Sequence, residues 1–63
     1  MSGDEKFYTI KAMNQFGGGF VKALAEAYMR ADGSNSAKIE AAFPEIMREY
    51  GPESDFYKHV RAA

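Results

Sequence analysis

The 63-residue sequence predicts a small all-α domain, an antiparallel helical hairpin with a short C-terminal helix and an N-terminal arm packed across it. Three observations carry that prediction. Ile39, Ala42, Phe43, Ile46, Met47 and Tyr50 recur at the three-and-four spacing of one buried helix face. A second stripe, Phe20, Leu24, Ala27 and Ala31, repeats that spacing upstream, with Val21 and Tyr28 at its margin. Glycine or proline flanks the stripes, at 17–19, 33 and 51–52, where helices would have to stop.

Residues 1–16 make the arm. Phe7, Tyr8, Thr9 and Ile10 favour strands, yet a lone strand has nothing here to pair with. A short helix, an extended segment on the helical core and a β-ribbon made with a second copy are all open. Gly17, Gly18 and Gly19 hold a helix poorly and so separate this arm from the first helix of the hairpin. They read as a flexible joint or a close approach of two backbones. An anion nest with Lys22 competes, but the phosphate-loop spacing is missing and no Ser or Thr comes after the lysine.

Helix one is expected over 19–32, with Lys22, Glu26 and Arg30 as a solvated row and Glu26 placed to pair with Arg30. Gly33 suits a left-handed C-terminal cap, and Ser34 to Ser36 offer N-caps for the next helix. Helix two is expected over 35–50. Its stripe runs through Pro44, which predicts a kinked continuous helix in preference to a helix that ends at Phe43 and restarts with Pro44. Gly51 and Pro52 stop it. A terminal helix is expected over 52–61, with Phe56, Tyr57 and Val60 inward and Lys58, His59 and Arg61 complementing the helix dipole.

Composition narrows the function classes. The chain has no cysteine and one histidine, so disulfides, thiolate metal sites and imidazole-rich metal sites are excluded. Eight basic side chains stand against nine acidic ones, a balance with no strong field for nucleic acid or anionic membrane. No segment approaches the roughly 20 apolar residues of a membrane span. Asp4 and Glu5 stand where a secretory leader would be basic, and the cytoplasm is the expected compartment.

Little in the chain points to chemistry. Glu45 and Glu49 share a helix face, but Arg48 lies beside them and no histidine falls in register, so a solvated face accounts for them and for Glu40. His59 has no acid, serine or cysteine partner in sight. Neither a catalytic residue nor a cofactor or metal ligand is assigned, and no enzyme is expected. A DNA-binding helix–turn–helix is an alternative, since Gly33 and Ile39 fit that pattern. Against it, Met29 occupies a position that close helix packing reserves for alanine, and Lys38 is the only base on the would-be recognition helix. An oligomeric small-ligand or nucleotide sponge, with Lys22 and the glycines lining an anion pocket, is a second alternative.

Five Phe and four Tyr are more rings than so short a chain can bury, and a core this small rarely supplies more than about 3–5 kcal/mol by itself. Met13, Met29 and Met47 add adaptable apolar surface. A protein interface is therefore expected, with Phe7, Tyr8, Phe16, Tyr28, Tyr50 and Tyr57 as its anchors and Phe20, Leu24, Ile39, Phe43 and Ile46 as the core.

The run Phe20-Val21-Lys22-Ala23-Leu24-Ala25-Glu26-Ala27, then Ala31-Asp32, Asn35 and Lys38 to Glu45, resembles a segment of small phage and prophage proteins of no assigned role. The resemblance covers about half of the chain and transfers no site residue. It implies an accessory protein of a phage or mobile element. The resulting expectation is a non-catalytic module that binds or inhibits a host protein, associates with itself, or both.

Overall fold

A computed structural model describes residues 1–63 and contains five helices and no strand: α1 (Gly3–Phe16), α2 (Gly19–Arg30), α3 (Gly33–Ala42), α4 (Pro44–Tyr50) and α5 (Asp55–Ala62). The all-α class is therefore the observed one. No helix is long and apolar enough to cross a membrane.

The N-terminal segment, open on sequence grounds between a helix, an extended segment and a strand, takes the first of these. It is a 14-residue helix, and it is the hub of the fold, touching α2, α4 and α5. Its start is a reciprocal capping box. Ser2 Oγ accepts from the Glu5 amide at 3.2 Å, and the Ser2 amide donates to Glu5 Oε1 at 2.9 Å. Thr9, Ile10, Ala12 and Met13 form its buried face. Strand propensity at Phe7 to Ile10 loses because the cap starts a helix and this face finds three helices to cover it.

Gly17 ends α1, its amide donating to the Met13 carbonyl, and Gly18 caps the start of α2. Both glycines are extended at negative φ. Gly17 is required by a close approach: a Cβ there would collide with the Val21 side chain and the Met13 carbonyl oxygen.

Helix α2 is rotated from the expected orientation. Ala25 and Tyr28 are fully buried and Val21 and Leu24 pack against the core, while Phe20 and Ala27 face outward. The turn after it also differs. No glycine has positive φ, so Gly33 is not a left-handed cap but the first residue of α3. Asp32, not a serine, is the N-cap, accepting from the Asn35 amide at 2.8 Å.

The stripe through Pro44 belongs to two helices and not to one kinked helix. Phe43 sits at φ −126°, ψ 63°, closing α3 through its amide to the Ile39 carbonyl and opening α4 through its carbonyl to the Met47 amide. A residue before proline is disfavoured from helical ψ, and proline is well suited to the first helical position. The break is thus the cheaper geometry. Ile46, Met47 and Tyr50 of α4 then turn onto the core beside α1 and α5. Gly51 stops α4. The last helix begins at Asp55 instead of 52 because Ser54 is its cap, accepting from the Tyr57 amide at 3.1 Å while donating to the Gly51 carbonyl at 2.7 Å.

Candidate interaction surface

The six expected anchors divide into ring groups with different roles. Tyr8 meets Phe7 edge-on at 5.1 Å and Tyr57 edge-on at 5.9 Å, joining α1 to α5. Phe16 stacks on Phe56 at 4.4 Å, and Phe56 stacks on Tyr50 at 5.5 Å, so three parallel rings tie α1, α4 and α5 together. His59 closes the edge of Phe16 at 5.5 Å. Tyr50 and Tyr57 are buried, and Phe16 and Tyr8 are half-buried. Of the six, Phe7 alone is largely exposed, at 57%.

Tyr28 stands apart and is fully buried in a polar cluster. Its hydroxyl donates to Glu40 Oε2 at 2.6 Å. Burial first, and then the bond to Glu40 and its negative charge, push the phenol well above its usual value of 10.0. Lys6 lies 5.3 Å from the ring centroid and donates to Ser36 Oγ at 2.8 Å and to the Ala31 carbonyl at 2.9 Å. Its cation meets a carbonyl at the end of α2, where the helix dipole favours positive charge. No buried side-chain polar atom lacks a partner. This cluster fastens α1 to the α2–α3 turn.

Tyr28, Tyr50 and Tyr57 therefore hold the fold together and are corrected from interface anchors to core. Sequence spacing does not separate the two roles, because a ring buried against a neighbouring helix and one offered to a partner look alike. Phe20 needs the opposite correction. Expected in the core, it is 65% exposed and meets Phe43 edge-on at 5.8 Å. Phe20 opens α2 and Phe43 comes just after α3, so the two helices run back alongside each other and this ring pair closes their far end. Met29 is also exposed, at 54%. Leu24, Ile39 and Ile46 are half-buried against the core, and Phe43 is half-buried.

No three His, Cys, Asp or Glu side chains converge. Gly17 and Gly18, both extended, lack the alternating right- and left-handed backbone of an anion nest. A shallow depression of about 390 Å³ between α4 and α5 is lined by Arg48, Glu49, Glu53, Ser54, Asp55 and Phe56. It has one apolar wall, whereas small-molecule sites are lined mainly by apolar side chains. Comparison of the chain with known protein families, with curated proteins and with solved structures gives no match.

Proposed function

We propose that this chain is a non-catalytic protein-interaction module, a cytoplasmic accessory protein of a phage or mobile element that binds or inhibits a host protein, associates with itself, or both. The observation that carries the reading is the exposed face of α2. A phenylalanine 65% open to solvent, paired with a second ring and followed by Ala23 and Ala27 on the same outer side, is apolar surface that folding leaves uncovered. Aromatic side chains are the usual energetic anchors of protein interfaces.

A photo-crosslinking amino acid placed at Phe20 tests this directly, with the same group at exposed Lys38 as control. In cells that carry the protein, position 20 should give one dominant crosslinked protein species that position 38 does not. Equal patterns from both positions, or no product from position 20, would reject the reading.

A further inference from the structure

We infer that the groove between the first turns of α1 and the end of α5 binds a small zwitterion, a ligand with one ammonium and one carboxylate group. This site is separate from the α2 face. The groove has a volume of about 560 Å³ and is lined by Ser2, Asp4, Glu5, Tyr8, Tyr57 and Arg61. That volume falls in the range of about 300–1,000 Å³ usual for small-ligand clefts. Two phenols meet in it, Tyr8 and Tyr57, with ring centroids 5.9 Å apart. Asp4 precedes Tyr8 by one helical turn, and Arg61 follows Tyr57 by one turn. One charge therefore stands on each wall, a carboxylate on α1 and a guanidinium on α5.

Tyr57 is the residue that points to a ligand. It is 5% exposed, yet its hydroxyl makes no hydrogen bond within the chain, where only its amide is bonded to a side chain. No buried polar side-chain atom lacks a partner, so the hydroxyl is the part of Tyr57 that reaches the surface, and it does so in this groove. A ring fixed by burial thus offers one open hydrogen-bonding atom in a set position. The depression between α4 and α5 has no such group, because its buried Ser54 hydroxyl is satisfied by Gly51 and by the Tyr57 amide.

The class of ligand follows from what the lining excludes. The covered ring of Tyr57 gives no face for stacking or for a cation. Apart from the two tyrosines the lining is polar, which does not suit an apolar ligand. A simple anion would meet the carboxylates of Asp4 and Glu5, and a simple cation would meet Arg61. A zwitterion uses both walls: its ammonium donates to Asp4, and its carboxylate accepts from Arg61. The Tyr57 hydroxyl can bond to either end. Both wall charges are free for this, since the ion pairs of the chain are Met1 with Glu40 and Glu26 with Arg30. Free α-amino acids and short peptides share this chemistry.

Amide chemical-shift titration of the full chain tests the site, with glycine and diglycine as probes. Acetate and methylamine serve as singly charged controls at matched ionic strength. At millimolar concentration a zwitterion should give saturable shifts at Asp4, Tyr8, Tyr57 and Arg61, and none at exposed Lys38 of α3. Saturation by glycine alone assigns the groove to a free amino acid, and saturation by diglycine alone assigns it to a peptide. Asp4→Asn and Arg61→Gln should each weaken binding roughly tenfold, the loss of one charge-assisted hydrogen bond. Tyr57→Phe keeps the buried ring and should weaken binding roughly threefold. Circular dichroism verifies that each variant is helical, and Phe20→Ser should leave the titration unchanged. No saturable shift with either zwitterion overturns the inference. So does an equal response to the singly charged controls, or parent-like binding by both Asp4→Asn and Arg61→Gln.

Discussion

At the scale of single residues, Tyr28 has the clearest consequences. Its neutral phenol is buried and donates to Glu40, so its proton is released far less readily in the folded chain than in the unfolded one. Above pH about 10 the unfolded phenol ionises and the folded one does not. The unfolded state then binds fewer protons, and stability falls as pH rises. The stabilisation is complete below that pH and is lost as pH climbs toward the folded value. Urea titrations between about pH 8 and about pH 11 should show this decline. Tyr28→Phe should flatten the slope, leaving the smaller share of Tyr50, whose phenol is raised by burial and then by Glu49. At neutral pH the same substitution should cost about 1–3 kcal/mol, because a part-buried carboxylate loses its donor. Two neighbouring glycines should respond in opposite directions. Gly17→Ala forces a Cβ into Val21 and the Met13 carbonyl, and should destabilise by about 1–3 kcal/mol. Gly19→Ala meets nothing and lies inside a helix, so it should stabilise by about 0.4–1 kcal/mol. Thermal unfolding of the pair, with melting temperatures moving apart on either side of the parent, is the check.

At the scale of elements, what the sequence makes legible depends on whether the deciding interaction is local. The all-α class and the stripe at Ile39 to Tyr50 come from local spacing. The capping box at Ser2 and Glu5 is also local, and it is the signal that identifies α1 as a helix. The rotation of α2 is not local. Its apolar arc is broad enough to bury either side, and Tyr28 turns inward because Lys6 and Glu40, distant in sequence, meet it there. That rotation puts Tyr28 in the core instead of at the expected surface, and Phe20 at the surface instead of in the expected core. The break at Phe43 combines both kinds of cause. Pro44 keeps Phe43 out of helical ψ, and the packing of Ile46, Met47 and Tyr50 holds α4 where it lies. Pro44→Ala removes only the first cause. The break should persist, with Phe43 carbon chemical shifts still non-helical, and the unfolding free energy should fall by about 0.4–1 kcal/mol as the unfolded chain regains freedom. Helical shifts at Phe43 would show that proline alone sets the angle.

At the scale of the whole molecule, one ring system belongs to the fold and the other to the recognition face proposed above, and truncation can tell them apart. Phe56 is sandwiched between Phe16 and Tyr50, so one side chain joins three helices at 4.4 Å and 5.5 Å. A phenylalanine truncated to alanine inside a core costs about 3–5 kcal/mol, and Phe56 is only half-buried, which places its loss toward the lower end. A domain of this size commands about that much in total. Phe56→Ala should therefore unfold much of the population at physiological temperature, with loss of the helical circular dichroism signal. Phe20 is a ring of the same size, yet it is mostly solvated and its one ring contact is the similarly peripheral Phe43. Phe20→Ser should shift stability by no more than about 0.5 kcal/mol, in the range of ordinary surface substitutions. It should nevertheless abolish association through α2. If Phe20→Ser instead melts the chain as Phe56→Ala does, the exposed ring belongs to the fold, and the separation between a folding cluster and a recognition face fails with it.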